Sequence, residues 1–192
     1  MSGQAYTIFD TAIGRCAIAW GPQGIVGVQL PEAREIETRK RLYQLYPDAR
    51  ELRPEPNVVA AITGIAALLH GEDADLSGLV LDMAGIHVFD QRVYQTVRRI
   101  PHGETCTYVD IAEQMKVSGA LRSVAHAIAR NPFVIIVPCH RVLETGGYAD
   151  SMSAHGGLIS KRRLLSIEGA GSSNSKTLLD VLLPVAPSRL SG

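Results

Sequence analysis

TYVDIAEQMKVSGALRSVAHAIARNPFVIIVPCHRV, residues 107–142, is the stretch that decides how this chain folds. It opens on Thr107 with Asp110 three residues on, the pattern of an N-cap whose hydroxyl and partner carboxylate satisfy each other's backbone amides. The short helix that follows carries Ile111, Ala112 and Met115 on one face, and Lys116 to Gly119 breaks it. Leu121, Val124, Ala125 and Ile128 then fall at i, i+3, i+4 and i+7, which predicts a second amphipathic helix ending before Asn131-Pro132. Two short helices joined by a tight glycine-containing turn predict a helix-turn-helix, a unit that in most globular proteins only packs and in a minority reads DNA. Phe133 to Val137 is wholly apolar and rich in β-branched residues. It predicts a buried strand that delivers Pro138-Cys139-His140-Arg141-Val142 at its end.

Upstream, Phe89, Val93, Val97 and Ile100 recur near helical spacing and Pro101 marks a stop, so a helix is expected from Val88. Nearer the N-terminus the elements change. Ala5 to Asp10, Arg15 to Trp20 and Gly24 to Leu30 are short runs punctuated by Gly14 and Gly21-Pro22, and they predict a hairpin followed by a third strand. Glu32 to Tyr46 and Asn57 to Leu69 predict two covering helices, and Leu79 to Met83 a further strand. Downstream of Val142 a glycine-rich loop precedes a basic helix around Lys161 to Ile167. The tail opens with GAGSSNS, a flexible composition, although Leu178 to Val185 is apolar enough to dock.

Bulk properties narrow the class. With 192 residues, 46% hydrophobic and 20% charged, the composition is that of an ordinary globular protein with a real core. No apolar run approaches the roughly 18 residues of a membrane span, and MSGQAYTIFD does not read as a signal peptide. Three cysteines without a CxxC or Cys/His cluster argue for a reducing cytoplasm, and against a disulfide scaffold or a metal site. The net charge of zero hides an asymmetry: residues 1–82 carry 7 basic and 11 acidic side chains, residues 83–170 carry 10 and 7. A basic C-terminal half permits a polyanion surface without requiring one.

The dipeptide Cys139-His140 is the one pair with nucleophile chemistry. A cysteine reacts as its thiolate, a few per cent of the whole at neutral pH when the pKa is about 8.5, and a hydrogen-bonded histidine can raise that share. Adjacent residues on an extended strand point to opposite faces, so His140 reaches Cys139 only if the chain turns sharply there. Local chemistry therefore leads to a reactive cysteine and stops.

Four segments carry more. IPHGETCTYVDIA (100–112), LRSVAHAIARNP (121–132), PCHRV (138–142) and GGL…K..LL..EG (156–169) resemble, in order, the catalytic domain of the O6-alkylguanine-DNA alkyltransferases, also called methylated-DNA–protein-cysteine methyltransferases. TAIGRCAIAW and GPQGIVGVQL resemble that family's N-terminal domain more loosely. The resemblance implies an α+β fold: a small ribonuclease-H-like α/β domain over 1–82, a mainly helical catalytic DNA-binding domain over 83–170, and a tail, 171–192. It implies transfer of an alkyl group from O6-alkylguanine, and from O4-alkylthymine, in double-stranded DNA to Cys139, once per molecule and without cofactor. His140, held by Glu168, would draw the thiol proton through a water. Tyr108 would press on a phosphate and serve guanine N3, and Arg122 would fill the space left by the flipped nucleotide. Ala125, Ala127 and Ala129 would allow close approach in the minor groove, with cooperative self-association on DNA. Asn131 would be the hinge between recognition helix and active-site strand, and Arg141 a brace for the local backbone.

The loop after PCHRV departs from the family. A Tyr-Ser-Gly-Gly-like stretch is usual there; this chain has Ala154-His155-Gly156-Gly157, and Tyr148 or Ser153 is left to take over the pocket wall beside Val142. That predicts altered handling of the alkyl group. The zinc ligands of some relatives have no counterpart, and Cys16 and Cys106 read as core residues. Rival classes are a damage-binding module without transfer, which Cys139 opposes; a cysteine hydrolase, which needs an oxyanion hole; and a DNA-binding regulator, which leaves PCHRV without a purpose.

Overall fold

The computed structural model describes residues 3–144 and 157–170, with backbone alone over 157–160. The pocket-loop residues Tyr148, Ser153, His155 and Gly156 and the tail 171–192 lie outside the described residues. Strands β1 (Ala5–Thr11), β2 (Gly14–Gly21) and β3 (Gly24–Gln29) form an antiparallel meander. Helix α1 (Glu35–Leu45) follows, and then β4 (Arg50–Glu51) pairs parallel to β1, giving the sheet order β3-β2-β1-β4. Alternation along the strands divides the side chains between two faces. Tyr6, Ala17 and Ala19 pack with Leu42 of α1 on one face. Phe9, Cys16, Ile18 and Trp20 share the main core on the other with Val58, Ala61 and Ile65 of α2 (Pro56–Leu69).

That main core continues without a break into the C-terminal elements. Helix α3 (Val88–Val97) contributes Val93, Tyr94 and Val97; α4 (Tyr108–Gln114) Ile111 and Ala112; α5 (Leu121–Ala129) Val124, Ala127 and Ile128. Two-residue strands β5 (Cys106–Thr107) and β6 (Val142–Leu143) pair in parallel, which sets the start of α4 beside the PCHRV segment. Helix α6 (Gly157–Ile167) closes the described chain.

Two expected strands are absent. Leu79 to Met83 makes a single bridge, Leu81 to Ile25, in which the Val80 carbonyl accepts the Ile25 N–H at 3.0 Å and the Ile25 carbonyl accepts the Asp82 N–H at 2.8 Å; the Asn57 side chain shares that Val80 carbonyl through Nδ2 and takes the Val80 N–H on Oδ1, both at 3.0 Å. Phe133 to Val137 is buried as expected but forms a tight turn, with Ile135 at φ +75° and the Val137 N–H bonded to the Phe133 carbonyl at 2.7 Å. A β-branched residue at positive φ is an outlier that local structure must hold in place. The turn between α4 and α5 also differs in detail: the left-handed residue is Lys116, at φ +58°, three positions before Gly119.

Candidate active site

Asn131 holds the Phe133–Val137 turn closed. Its Nδ2 donates to the Val137 carbonyl and its Oδ1 accepts the Phe133 N–H, both at 2.9 Å, and Asn131 itself is buried. The Phe133 N–H would otherwise be orphaned in the core, and the Val137 carbonyl, which also accepts the Cys139 N–H at 2.8 Å, is held from both sides, so one amide side chain fixes the route from α5 to Pro138. Beyond Pro138 the chain winds into a 3₁₀ turn over Cys139–Arg141. This is the sharp turn that the Cys139-His140 pair requires, made by a helical twist.

Behind the turn lies a charged cluster. His140 Nε2 is 2.8 Å from Glu168 Oε1, and both side chains are buried. Arg141 donates to the same carboxylate twice, Nε to Oε2 and Nη2 to Oε1, each at 2.8 Å, and its Nη1 donates to the Ile100 carbonyl at 2.7 Å. Gly103, left-handed at φ +77°, brings its N–H to 3.4 Å from Glu168 Oε2. Gly169, at φ +68°, ends the turn after α6 and fixes where Glu168 stands.

Burial alone would raise the Glu168 pKa, but hydrogen bonds from His140 and Arg141 outweigh it and hold the carboxyl at about 2. An ionised Glu168 accepts only, so Nε2 of His140 carries the proton and Nδ1 is left with the lone pair. That Nδ1 is buried and has no hydrogen-bond partner among the described residues. Burial lowers the His140 pKa against the pull of Glu168, so the ring rests neutral at physiological pH. It is a base with its lone pair unspent.

Cys139 is partly exposed. Burial of the thiol raises its pKa, opposed by a hydrogen bond from Asn131, the charge of Lys161 and the backbone N–H groups of Cys139 and His140. The other thiols have fewer opposing groups. Burial carries Cys16 to about 12 against a single bond from Thr11, and Cys106 to about 11 with Asp110 adding to the rise. Cys139 therefore rests as a thiol, contrary to the expectation that His140 lowers its pKa, and it needs a base at the moment of reaction. More groups oppose that rise at Cys139 than at either of the other thiols.

Tyr108 begins α4 directly after the Thr107 cap, where Thr107 Oγ1 accepts the Asp110 N–H and Asp110 Oδ2 accepts the Thr107 N–H at 2.6 Å. Its ring is 7% exposed, with Lys161 Nζ 6.0 Å from the ring centroid. Lys161 is itself 4% exposed and donates to the Val142 carbonyl at 2.7 Å. This buried ammonium lies next to the turn over Cys139–Arg141 and has no counterpart among the expected site residues; its signal is the lysine in K..LL..EG, seven residues before Glu168, which directly follows α6. Val142, expected on the pocket wall, is fully buried.

On α5 the exposed residues are Leu121, Arg122, Ser123, His126 and the C-cap Arg130, with Ala125 and Ala129 half-buried between them. Arg122, Ala125, His126 and Ala129 share one face. Ala127 is a correction: it faces the core with no exposed surface, and its carbonyl accepts the Tyr94 hydroxyl at 3.0 Å. Leu121, expected in the apolar stripe, is 42% exposed.

Against known proteins, a family model described as the DNA-binding domain of 6-O-methylguanine DNA methyltransferase matches residues 88–170. Over 177 residues the chain is 36% identical to the methylated-DNA–protein-cysteine methyltransferase of Mycobacterium tuberculosis, covering 91% of this chain and 98% of that one. The chain belongs to the methylated-DNA–protein-cysteine methyltransferase family. A second relative of that name, from Methanothermobacter thermautotrophicus, is 32% identical over 79% of this chain and 78% of its own. The fold agrees: the crystal structure of the M. tuberculosis O6-methylguanine methyltransferase superposes with a TM-score of 0.66 at 30% identity, over 93% of this chain and 99% of that one. A structure of the M. tuberculosis protein in complex with DNA matches at 0.66 and 30% identity, over 85% and 92% of the two chains. Within the methyltransferase family's order of motifs, this chain brings the HGE, PCHR and EG segments onto one carboxylate, Glu168.

Proposed function

We propose that this protein repairs alkylated guanine in duplex DNA by moving the alkyl group from guanine O6 irreversibly onto Cys139, one molecule per lesion. The thiol sulfur attacks the alkyl carbon opposite the departing oxygen; the S–C bond forms as the C–O bond breaks. The thiol proton passes to Nδ1 of His140 through a bridging water; a hydrogen bond from Tyr108 to guanine N3 disperses the negative charge of the leaving base, which becomes neutral guanine on taking a proton from solvent, while His140 gives its extra proton back to solvent. The alkyl donor is the lesion itself, so no cofactor takes part. A thioether resists hydrolysis, which makes the reaction single-turnover. O4-alkylthymine presents the same leaving-group chemistry.

One observation carries the reading: a partly open thiol shares a 3₁₀ turn with a neutral histidine whose free nitrogen has no other hydrogen-bond partner among the described residues. The α4–α5 pair then acts as a helix-turn-helix that meets DNA at the minor groove. Arg122 takes the space of the flipped nucleotide, Ala125 and Ala129 permit close approach, and Tyr108 turns its hydroxyl toward the backbone. Residues 1–82 form the ribonuclease-H-like support and 83–170 the catalytic domain. A thiol acceptor needs a reducing cytoplasm, and neighbouring molecules can bind DNA cooperatively.

The test is a duplex carrying O6-methylguanine, followed by intact and peptide masses. One added methyl on the Cys139 peptide, absent in Cys139→Ser, is the expected result. Tight binding with no change in mass overturns transfer and leaves a damage sensor.

A further inference from the structure

Arg130 caps the C-terminus of α5 eight residues after Arg122, about 12 Å further along the helix axis. Its side chain is 64% exposed, and Nη2 donates to Asp90 Oδ2 at 2.9 Å. Its other donors make no hydrogen bond among the described residues. Asp90 sits in the first turn of α3 with a side chain 10% exposed, where the helix dipole stabilises its charge independently of Arg130.

The ion pair is not what docks α5 on α3. That contact is made by the buried bond from the Tyr94 hydroxyl to the Ala127 carbonyl and by the packing of Val93 and Val97 with Val124 and Ile128. A mostly exposed pair adds little to such an interface. The surroundings suit an anion: residues 114–143 contain no aspartate or glutamate, and they carry Lys116, Arg122, His126, Arg130, His140 and Arg141. Among the described residues Asp90 pairs with Arg130 at the α5 cap, and Glu168 pairs with His140 and Arg141.

We propose that Arg130 is a DNA-phosphate contact at the far end of α5, and that Asp90 occupies it until a duplex displaces the carboxylate. The inference rests on the reading of α5 as the DNA-facing helix. A phosphate offers the guanidinium the same charge-assisted hydrogen bonds as a carboxylate, and counterion release drives the exchange. Asp90 thereby weakens binding to any duplex and limits how firmly the protein holds undamaged DNA.

The experiment measures the affinity of the full chain for an undamaged duplex across a salt series, with thermal unfolding to establish that each variant is folded. Arg130→Ala is expected to bind more weakly, with the slope of log K against log salt shallower by about 0.9, the value of one phosphate contact. Arg130→Lys is expected to keep the slope. Asp90→Asn is expected to bind a few-fold more tightly. If Arg130→Ala leaves affinity and slope unchanged, or if Asp90→Asn weakens binding as Arg130→Ala does, the pair is a packing contact and the proposal falls. Arg122→Ala separates the two levels: if it too leaves binding unchanged, the reading of α5 as the DNA-facing helix fails, whereas an effect of Arg122 alone overturns only the role of Arg130.

Discussion

Glu168 stands 2.8 Å from Nε2 of His140 while Arg141 grips the same carboxylate through two nitrogens, so one buried anion orients the base and neutralises the cation beside it. Such a triad is strong only when whole. Glu168→Gln keeps an acceptor for Nε2–H but leaves the buried Arg141 charge without its anion, a change of the kind that costs about 3 kcal/mol or more. It also leaves Nδ1 a weaker base. We expect the single-turnover transfer rate to fall at least about tenfold at saturating duplex, within the usual range for impaired acid–base catalysis, while duplex affinity holds. Rapid-quench transfer assays beside binding titrations check this; an unchanged rate removes Glu168 from the mechanism.

The same cluster predicts acid lability. The Glu168 pKa is held at about 2 by His140 and Arg141 against burial, from an ordinary 4.5, so its contribution is complete above about pH 4.5 and is lost as pH falls toward 2. A shift of that size corresponds to stability on the order of 3 kcal/mol. His140 acts in the same direction from a higher pH, because burial lowers its pKa and the unfolded chain takes up the proton first as pH drops below about 6.5. Urea unfolding across a pH series should therefore show stability falling from about pH 6 downward, and Glu168→Gln should flatten the lower part of the curve. A wild-type midpoint constant down to about pH 3 contradicts both assignments.

Asn131 is a third point of failure. Asn131→Ala leaves the buried Phe133 N–H without its partner, at about 1–3 kcal/mol, and leaves the Val137 carbonyl with the Cys139 N–H alone. It also releases Ile135 from its positive φ and takes a hydrogen bond from the Cys139 thiol. A loss of about 1–3 kcal/mol in denaturant unfolding is expected, with transfer slowed in the molecules that remain folded. Asn131→Asp keeps the acceptor for Phe133 but loses the donor to Val137, so its loss should lie between wild type and alanine.

What could be read in the sequence follows from how local each signal is. The Thr107–Asp110 cap, the first three strands and the helices α2 and α5 are written in consecutive residues, and the chain carries them out. Phe133 to Val137 has the composition of a strand, and composition cannot reveal that a side chain two residues earlier will fold it into a turn. At Val80 the N–H goes to a side chain, Asn57, 23 positions away, which no local pattern signals. Alanine fits core and surface equally well, so the face of Ala127 follows from how α5 packs on α3, where the Tyr94 hydroxyl, 33 residues distant, holds the Ala127 carbonyl. Cys139, His140, Glu168 and Asn131 were named from motifs, but the division of labour on Glu168 and the closeness of Lys161 are tertiary facts.

Lys161 puts that last point to a test. Its ammonium is buried, bonded to the Val142 carbonyl at 2.7 Å, and its charge works against the burial that raises the Cys139 pKa. Lys161→Met keeps the length and apolar stem and removes the charge, so the thiolate loses one stabilising partner and the thiol pKa should rise further. The rate of alkyl transfer should then fall at neutral pH and recover partly as pH is raised, because more alkaline solution restores the thiolate that the charge had favoured. A role confined to packing predicts a different result: lower thermal stability with an unchanged pH–rate profile. Reaction of Cys139 with iodoacetamide, measured across pH in a Cys16→Ser, Cys106→Ser background, reports the thiol titration directly. A profile identical to that of the Lys161-containing protein would show that the lysine only fills space.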